Sequence, residues 1–187
     1  MDVFSSNRER RLWVFFLVVV VAIYSTLATA TRLTGMLREY GLLEISFAIG
    51  ALTVGLMVIL HSLKSVPNRA GFAIAVGMIA VYVLVFVRMA TPEERTHLVE
   101  YGVVAILAFE ALSERCRNGR RVPMPAMIAI LLASAIGVLD ELIQSVLPNR
   151  VFDWRDILFN VLTAIMAIFS TIALSWTRRR KLASDRG

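Results

Sequence analysis

The chain has 187 residues, 58% of them hydrophobic, and a mean hydropathy of +0.71. Soluble domains run close to half apolar, so this composition excludes a water-soluble protein and implies an integral membrane one. The formal charge of +6 is spread over loops rather than gathered on one helix face, which argues against a nucleic-acid partner. The single cysteine, Cys116, rules out an intrachain disulfide.

Five uncharged runs follow one another: Leu12–Thr31, Ile45–Leu63, Ala70–Val87, Val122–Leu139 and Ile157–Thr177. Each approaches the ~17 to 25 residues that a helix needs to cross ~30 Å of hydrocarbon. A sixth span, fourth in order, lies between Pro92 and Leu112; His97, Glu100 and Glu110 confine its uncharged core to Tyr101–Phe109, so it is the weakest on hydropathy. The expectation is an all-α, polytopic membrane helical bundle of about six transmembrane helices, forming a single domain over residues 1–187. Short loops and the absence of repeats or low-complexity segments agree with it.

The first run ends near Ala28-Thr-Ala30, a small-residue pattern like that of a signal-peptide cleavage site. Its 20 uncharged residues exceed a usual signal core, and removing it would upset the charge balance across six spans, so a retained helix is expected. Trp13, Trp154 and Trp176 stand at the ends of the first and sixth spans, where an indole ring suits the membrane interface. With a cytoplasmic N-terminus, 14 basic residues fall on the cytoplasmic side, among them Arg8, Arg115, Arg121 and Arg178-Arg-Arg-Lys181, against six on the other: Arg32, Arg38, Arg88, Arg95, Arg150 and Arg155. The positive-inside rule therefore places both termini in the cytosol.

Thr91-Pro-Glu-Glu94 reads as a helix start, with a capping hydroxyl, proline at the first helical position and acids at the positive end of the dipole. Continuing that helix puts His97, Glu100 and Tyr101 on roughly one face. The fifth span rises from Pro123 to Asp140 and Gln144, four apart on one face, with Glu141 one residue round and Pro148 as its stop. After Pro148-Asn-Arg150, the residues Asp153, Asp156, Asn160 and Thr163 recur at spacings of three, four and three, a polar stripe that should face the bundle.

An ionisable side chain at the bilayer centre costs about 2.5 to 3.5 kcal/mol on insertion scales. Asp140 lies only about 12 Å below the loop at 1.5 Å per residue, so that cost alone does not establish a function. The expected ligand-binding set is His97, Glu100, Asp140, Glu141, Gln144, Arg150, Asp153, Asp156 and Asn160, lining one outward-facing pocket; sequence fixes their depth and not their mutual distance. Taken singly, each has a structural reading: His97 as an interfacial helix residue, Glu100 or Glu141 paired with Arg95 or Arg150, and Asn160 joining two helices.

The segments Arg95-Thr-His-Leu-Val-Glu-Tyr-Gly102 and Asp140-Glu-Leu-Ile-Gln144, followed by Pro148-Asn-Arg150, Asp153, Asp156 and Asn160, resemble the VanZ-like family. The resemblance covers about residues 91–168, and the Tyr24-Ser-Thr26 end of the first span is similar to the family's first helix. Thr163 stands where the family often carries glycine, which is expected to loosen helix packing. Residues 42–90, with spans two and three, read as a two-helix insertion. The family name implies a membrane protein associated with reduced susceptibility to the glycopeptide teicoplanin, a lipid-tailed molecule that acts on the outer face.

Three functions, beside a purely structural role, remain open at this point. One is binding or remodelling of an anionic, amphiphilic cell-envelope ligand, with Arg150 and Arg155 meeting phosphate or carboxylate. Another is an intramembrane hydrolase or transferase with His97, Glu141 and Asp156 as catalytic candidates, although no Ser-His-Asp order and no HExxH occurs. The oxygen-rich set would suit Mg²⁺ or Ca²⁺ better than Zn²⁺, without a specific metal motif. The third is proton-coupled transport, for which His61, Glu110 and Glu114 offer little, since they lie near the cytoplasmic ends where water or loop arginines meet them.

Overall fold

A computed structural model describes residues 3–42, 45, 69–88, 92–147 and 152–184. Among them, five α-helices and no strand occur: α1 Asn7–Glu39, α2 Arg69–Arg88, α3 Pro92–Arg117, α4 Pro125–Gln144 and α5 Trp154–Ser184. Among the described residues, three segments, Asn7–Leu27, Pro125–Gln144 and Trp154–Trp176, are long and apolar enough to cross a membrane. Beyond Ile45, the second expected span lies outside the described residues, as do Thr91, Arg150 and the rest of the Pro148-Asn-Arg150 turn.

Local chemistry explains the helix ends. At the start of α1 the Ser6 hydroxyl accepts from the Glu9 N–H at 3.0 Å, while the Glu9 carboxylate accepts from Ser5 N–H and Oγ, each at 2.6 Å. This closes orphan amides in the manner of a capping box. α1 then runs unbroken through Ala28–Ala30. α3 stops where Gly119 takes φ +78°: Arg120 N–H reaches Arg115 O and Gly119 N–H reaches Cys116 O, a Schellman pair that needs the left-handed conformation glycine tolerates. α4 starts two residues later than Pro123, because Met124, held between two prolines, adopts φ 44°, ψ 61° and Pro125 takes the first turn.

The chain falls into two compact units, Met1–Ala30 with Glu93–Phe169 and Thr31–Pro92 with Ser170–Gly187. In the first, Phe16 and Ile23 of α1, Val104, Ala105, Ala108 and Leu112 of α3, Ala129 and Ala133 of α4, and Ala164 and Ile168 of α5 form one buried cluster. Small side chains dominate its α3, α4 and α5 faces, which lets helix backbones approach closely where apolar burial alone gives little drive in lipid. The outward faces carry exposed Phe15, Leu17, Val18 and Val21 on α1, Leu131 and Leu142 on α4, and Leu158 and Phe169 on α5. Apolar surface this continuous suits hydrocarbon, not water. In the second unit, α2 likewise exposes Phe72, Val76, Ile79, Val83 and Leu84.

Ion pairs gather at one end of the first unit. Arg8 meets Glu110 at 3.0 Å and Glu114 at 2.8 Å, Arg117 meets the same two acids, and Arg115 meets Glu9 at 3.4 Å. Glu110 and Glu114 thus pair with arginines, as their positions led one to expect. His97 lies thirteen residues earlier on α3 than Glu110, about 20 Å away along the helix. Between them the buried face is apolar: Val104, Ala105 and Ala108 are fully enclosed.

Candidate functional site: a buried polar centre

The site forms where α3, α4 and the start of α5 meet. On α4 the residues Ala129, Ala133, Gly137 and Glu141 recur every four positions and are all buried, with Asp140 and Gln144 beside them. A stripe of small residues therefore brings the α4 backbone close to its neighbours and ends on acids. Gly137 is the tightest point: a Cβ built there would lie 2.9 Å from Asn160 Cβ and 2.8 Å from Asn160 Nδ2. Only glycine leaves room for Asn160, which is fully buried on α5.

One turn along α5, Thr163 is also fully buried, and its Cγ2 lies 3.6 Å from where a Cβ of Gly102 would stand. The looser packing expected at Thr163 is therefore absent. The close approach is kept because the glycine sits on the opposing helix, α3.

α3 supplies His97 and Tyr101, one turn apart, 6% and 0% exposed, with ring centroids 5.6 Å apart in an edge-on arrangement. His97 Nε2 is 4.0 Å from Asp140 Oδ2, and the same oxygen accepts from Gln144 Nε2 at 3.1 Å. Glu141 Oε2 accepts the Asp153 N–H at 3.1 Å, which ties α4 to the entry of α5. Asp140 and Glu141 are each 1% exposed. One donor atom from each of His97, Asp140 and Glu141 lies within 4.8 Å of the other two.

The remaining expected residues take distinct places. Glu100 is half-buried within electrostatic reach of His97 and Asp140, and Asp156, also half-buried, acts on Glu141. Asp153 caps α5, its Oδ1 accepting the Arg155 N–H at 2.8 Å, so its side chain is engaged in the helix start. Arg155 is exposed. Arg150 falls outside the described residues.

Several polar atoms at the centre are enclosed without a hydrogen-bond partner: His97 Nδ1, Asp140 Oδ1, Glu141 Oε1, the Tyr101 hydroxyl, both amide atoms of Asn160 and Thr163 Oγ1. The Tyr101 hydroxyl is within electrostatic reach of Asp140. Leaving one buried polar group unpaired costs about 1 to 3 kcal/mol, and native interiors carry few such groups.

Two contributors escape a reading by polarity. Gly137 carries no chemistry, but a glycine inside an apolar helix is unfavourable there, and its four-residue spacing with Ala133 was a legible signal. Tyr24 of α1 donates to the Ile136 carbonyl at 3.0 Å, one turn before Asp140; its place in the family's first helix was the only hint.

A family model described as VanZ/LLP1 matches residues 6–175, well beyond the 91–168 stretch that carries the motifs. No curated protein and no solved structure matches this chain.

Proposed function

The chain belongs to the VanZ/LLP1 family, and from that premise we propose that it is a multi-pass protein of the cell membrane whose polar centre binds the headgroup of an amphiphilic envelope molecule. The observation that carries this reading is the set of enclosed, partnerless donors and acceptors around His97, Asp140, Glu141 and Asn160. Next to Asp140 and Glu141 along α4, Val138, Leu139 and Leu142 are exposed apolar side chains. A ligand with a polar head and an apolar chain can satisfy the first group while its tail lies along the second. Arg150 and Arg155 supply the charge for an anionic head.

In this proposal six helices cross the membrane, both termini are cytoplasmic, residues 42–90 are a two-helix insertion, and the polar centre opens to the outer side. A link to teicoplanin-type susceptibility belongs to the same reading, since that glycopeptide is amphiphilic and acts on that side. The test is native mass spectrometry of protein extracted with its surrounding lipid, comparing wild type with Glu141→Gln and Arg150→Ala. A discrete bound mass present in wild type and lost in both variants is expected. Unselective lipid in all three overturns the reading.

A hydrolase or transferase is the second reading, favoured by the 4.0 Å approach of His97 Nε2 to Asp140. A buried carboxylate beside an imidazole is placed to orient it, as a general base requires. Transport gains no such support, because the buried face between the two polar ends of α3 is apolar.

A further inference from the structure

We infer that His97, Asp140 and Glu141 form a three-residue site for one divalent cation of the Zn²⁺ or Mn²⁺ type. This goes beyond the headgroup reading and stands without it, because it rests on the geometry and charge of three side chains.

The first support is distance. With metal–ligand bonds of about 2.0 to 2.2 Å, neighbouring donors in one coordination shell stand roughly 3 to 3.6 Å apart. The three donor atoms already lie within 4.8 Å of one another, and the His97–Asp140 approach is 4.0 Å. That 4.0 Å is too long for a hydrogen bond, yet close enough for both atoms to turn toward a common ion by small side-chain rotations.

Charge balance is the second. Asp140 and Glu141 are consecutive, each 1% exposed, and among the described residues no lysine or arginine pairs with either. Enclosing two carboxylates without a counter-charge is costly. A divalent cation offsets both at once, and a bidentate Asp140 would give it the donor-free Oδ1 beside the Oδ2 that faces His97, with the donor-free Oε1 supplied by Glu141.

Outside the ligand set stands the third support. The fully buried Tyr101 hydroxyl lies within electrostatic reach of Asp140, and Gln144 already donates to Asp140 Oδ2. Asp153 N–H holds Glu141 Oε2. Ligating carboxylates are commonly oriented by donors of this kind.

One imidazole nitrogen with two carboxylates sets the choice of ion. Mg²⁺ and Ca²⁺ prefer shells made of oxygen, whereas imidazole suits Zn²⁺ and Mn²⁺ accepts a carboxylate-rich shell. The His97 imidazole in the set therefore favours Zn²⁺ or Mn²⁺ over Mg²⁺ or Ca²⁺. Three protein ligands also leave a position open to an oxygen from solvent or from a bound molecule.

The test uses the full chain in lipid nanodiscs. After stripping with a chelator, the protein is titrated with Zn²⁺ by calorimetry and with Mn²⁺ by electron paramagnetic resonance. One ion per chain is expected, with affinity reduced at least about tenfold in Asp140→Asn and Glu141→Gln and unchanged in Glu114→Gln, which lies at the far end of α3. Because either acid variant can misfold, a second measurement avoids both. The chain has two histidines, His61 and His97, so ¹⁴N coupling to Mn²⁺ in His61→Gln reports His97 alone. Absence of stoichiometric binding, equal affinity in wild type and both acid variants, or a bound Mn²⁺ without ¹⁴N coupling overturns the assignment. Where metal binding fails by any of these criteria, a lipid-like mass still retained by the metal-free protein leaves the headgroup reading in place.

Discussion

Asp140 and Glu141 are neighbours in sequence yet hold different partners. Asp140 faces α3 through His97 and is held by Gln144, while Glu141 faces the entry of α5 through the Asp153 amide. The 100° turn between consecutive helix positions spreads the two acids across two helix interfaces. Gly137 makes that convergence physical, since it lets Asn160 reach the α4 backbone. Gly137→Ala is expected to lower stability by about 1 to 3 kcal/mol through overpacking, read as a lower Tm in detergent. Gly77→Ala is the control: a Cβ there meets nothing within 4 Å, so its Tm should stay at or above the wild-type value. Equal losses in both would remove the close-approach argument.

Among the elements, α1 acts as a rail along the first unit. Its start is clasped to the end of α3 by Arg8, and Tyr24 further along holds the Ile136 carbonyl of α4. Burial draws the Glu114 carboxyl upward, but the hydrogen bond from Asn118 and the charge of Arg8 outweigh it and hold the group below the usual carboxylate value. A depressed carboxylate contributes stability that is present above its unfolded-state value and is lost as pH falls through the folded one. The clasp should therefore act in full at neutral pH and vanish in acid. Thermal unfolding of Arg8→Ala against wild type checks this: the difference in Tm should be largest near neutrality and shrink as pH falls below about 4. A difference independent of pH would assign the effect of Arg8 to packing.

For the whole molecule, the side of the membrane to which the polar centre lies nearer decides what it can meet. In a Cys116-free protein, a cysteine placed at Asn149 is expected to react with an impermeant reagent added outside whole cells, and one placed at Gly119 to be protected. The reverse pattern would move the centre to the cytosol and exclude an outer-leaflet ligand. Sequence by itself determined the helical class and the membrane setting, because apolar run length and hydropathy act locally and must match the bilayer. It also singled out His97, Asp140, Glu141, Gln144 and Asn160, because polar side chains inside such runs are conspicuous. Which of them meet is not local. Asp140 and Asn160 reach the same region through the small-residue face at Ala133 and Gly137, and His97 reaches Asp140 across forty-three positions of chain because α3 and α4 pack on that face. Packing also left Asp140 Oδ1 and Glu141 Oε1 without donors, whereas the Asp153 side chain was taken by the local cap of α5. Spacing along one helix can set which face a residue takes, but the distance between helices depends on the side chains of both partners, and that was decided only in the tertiary structure.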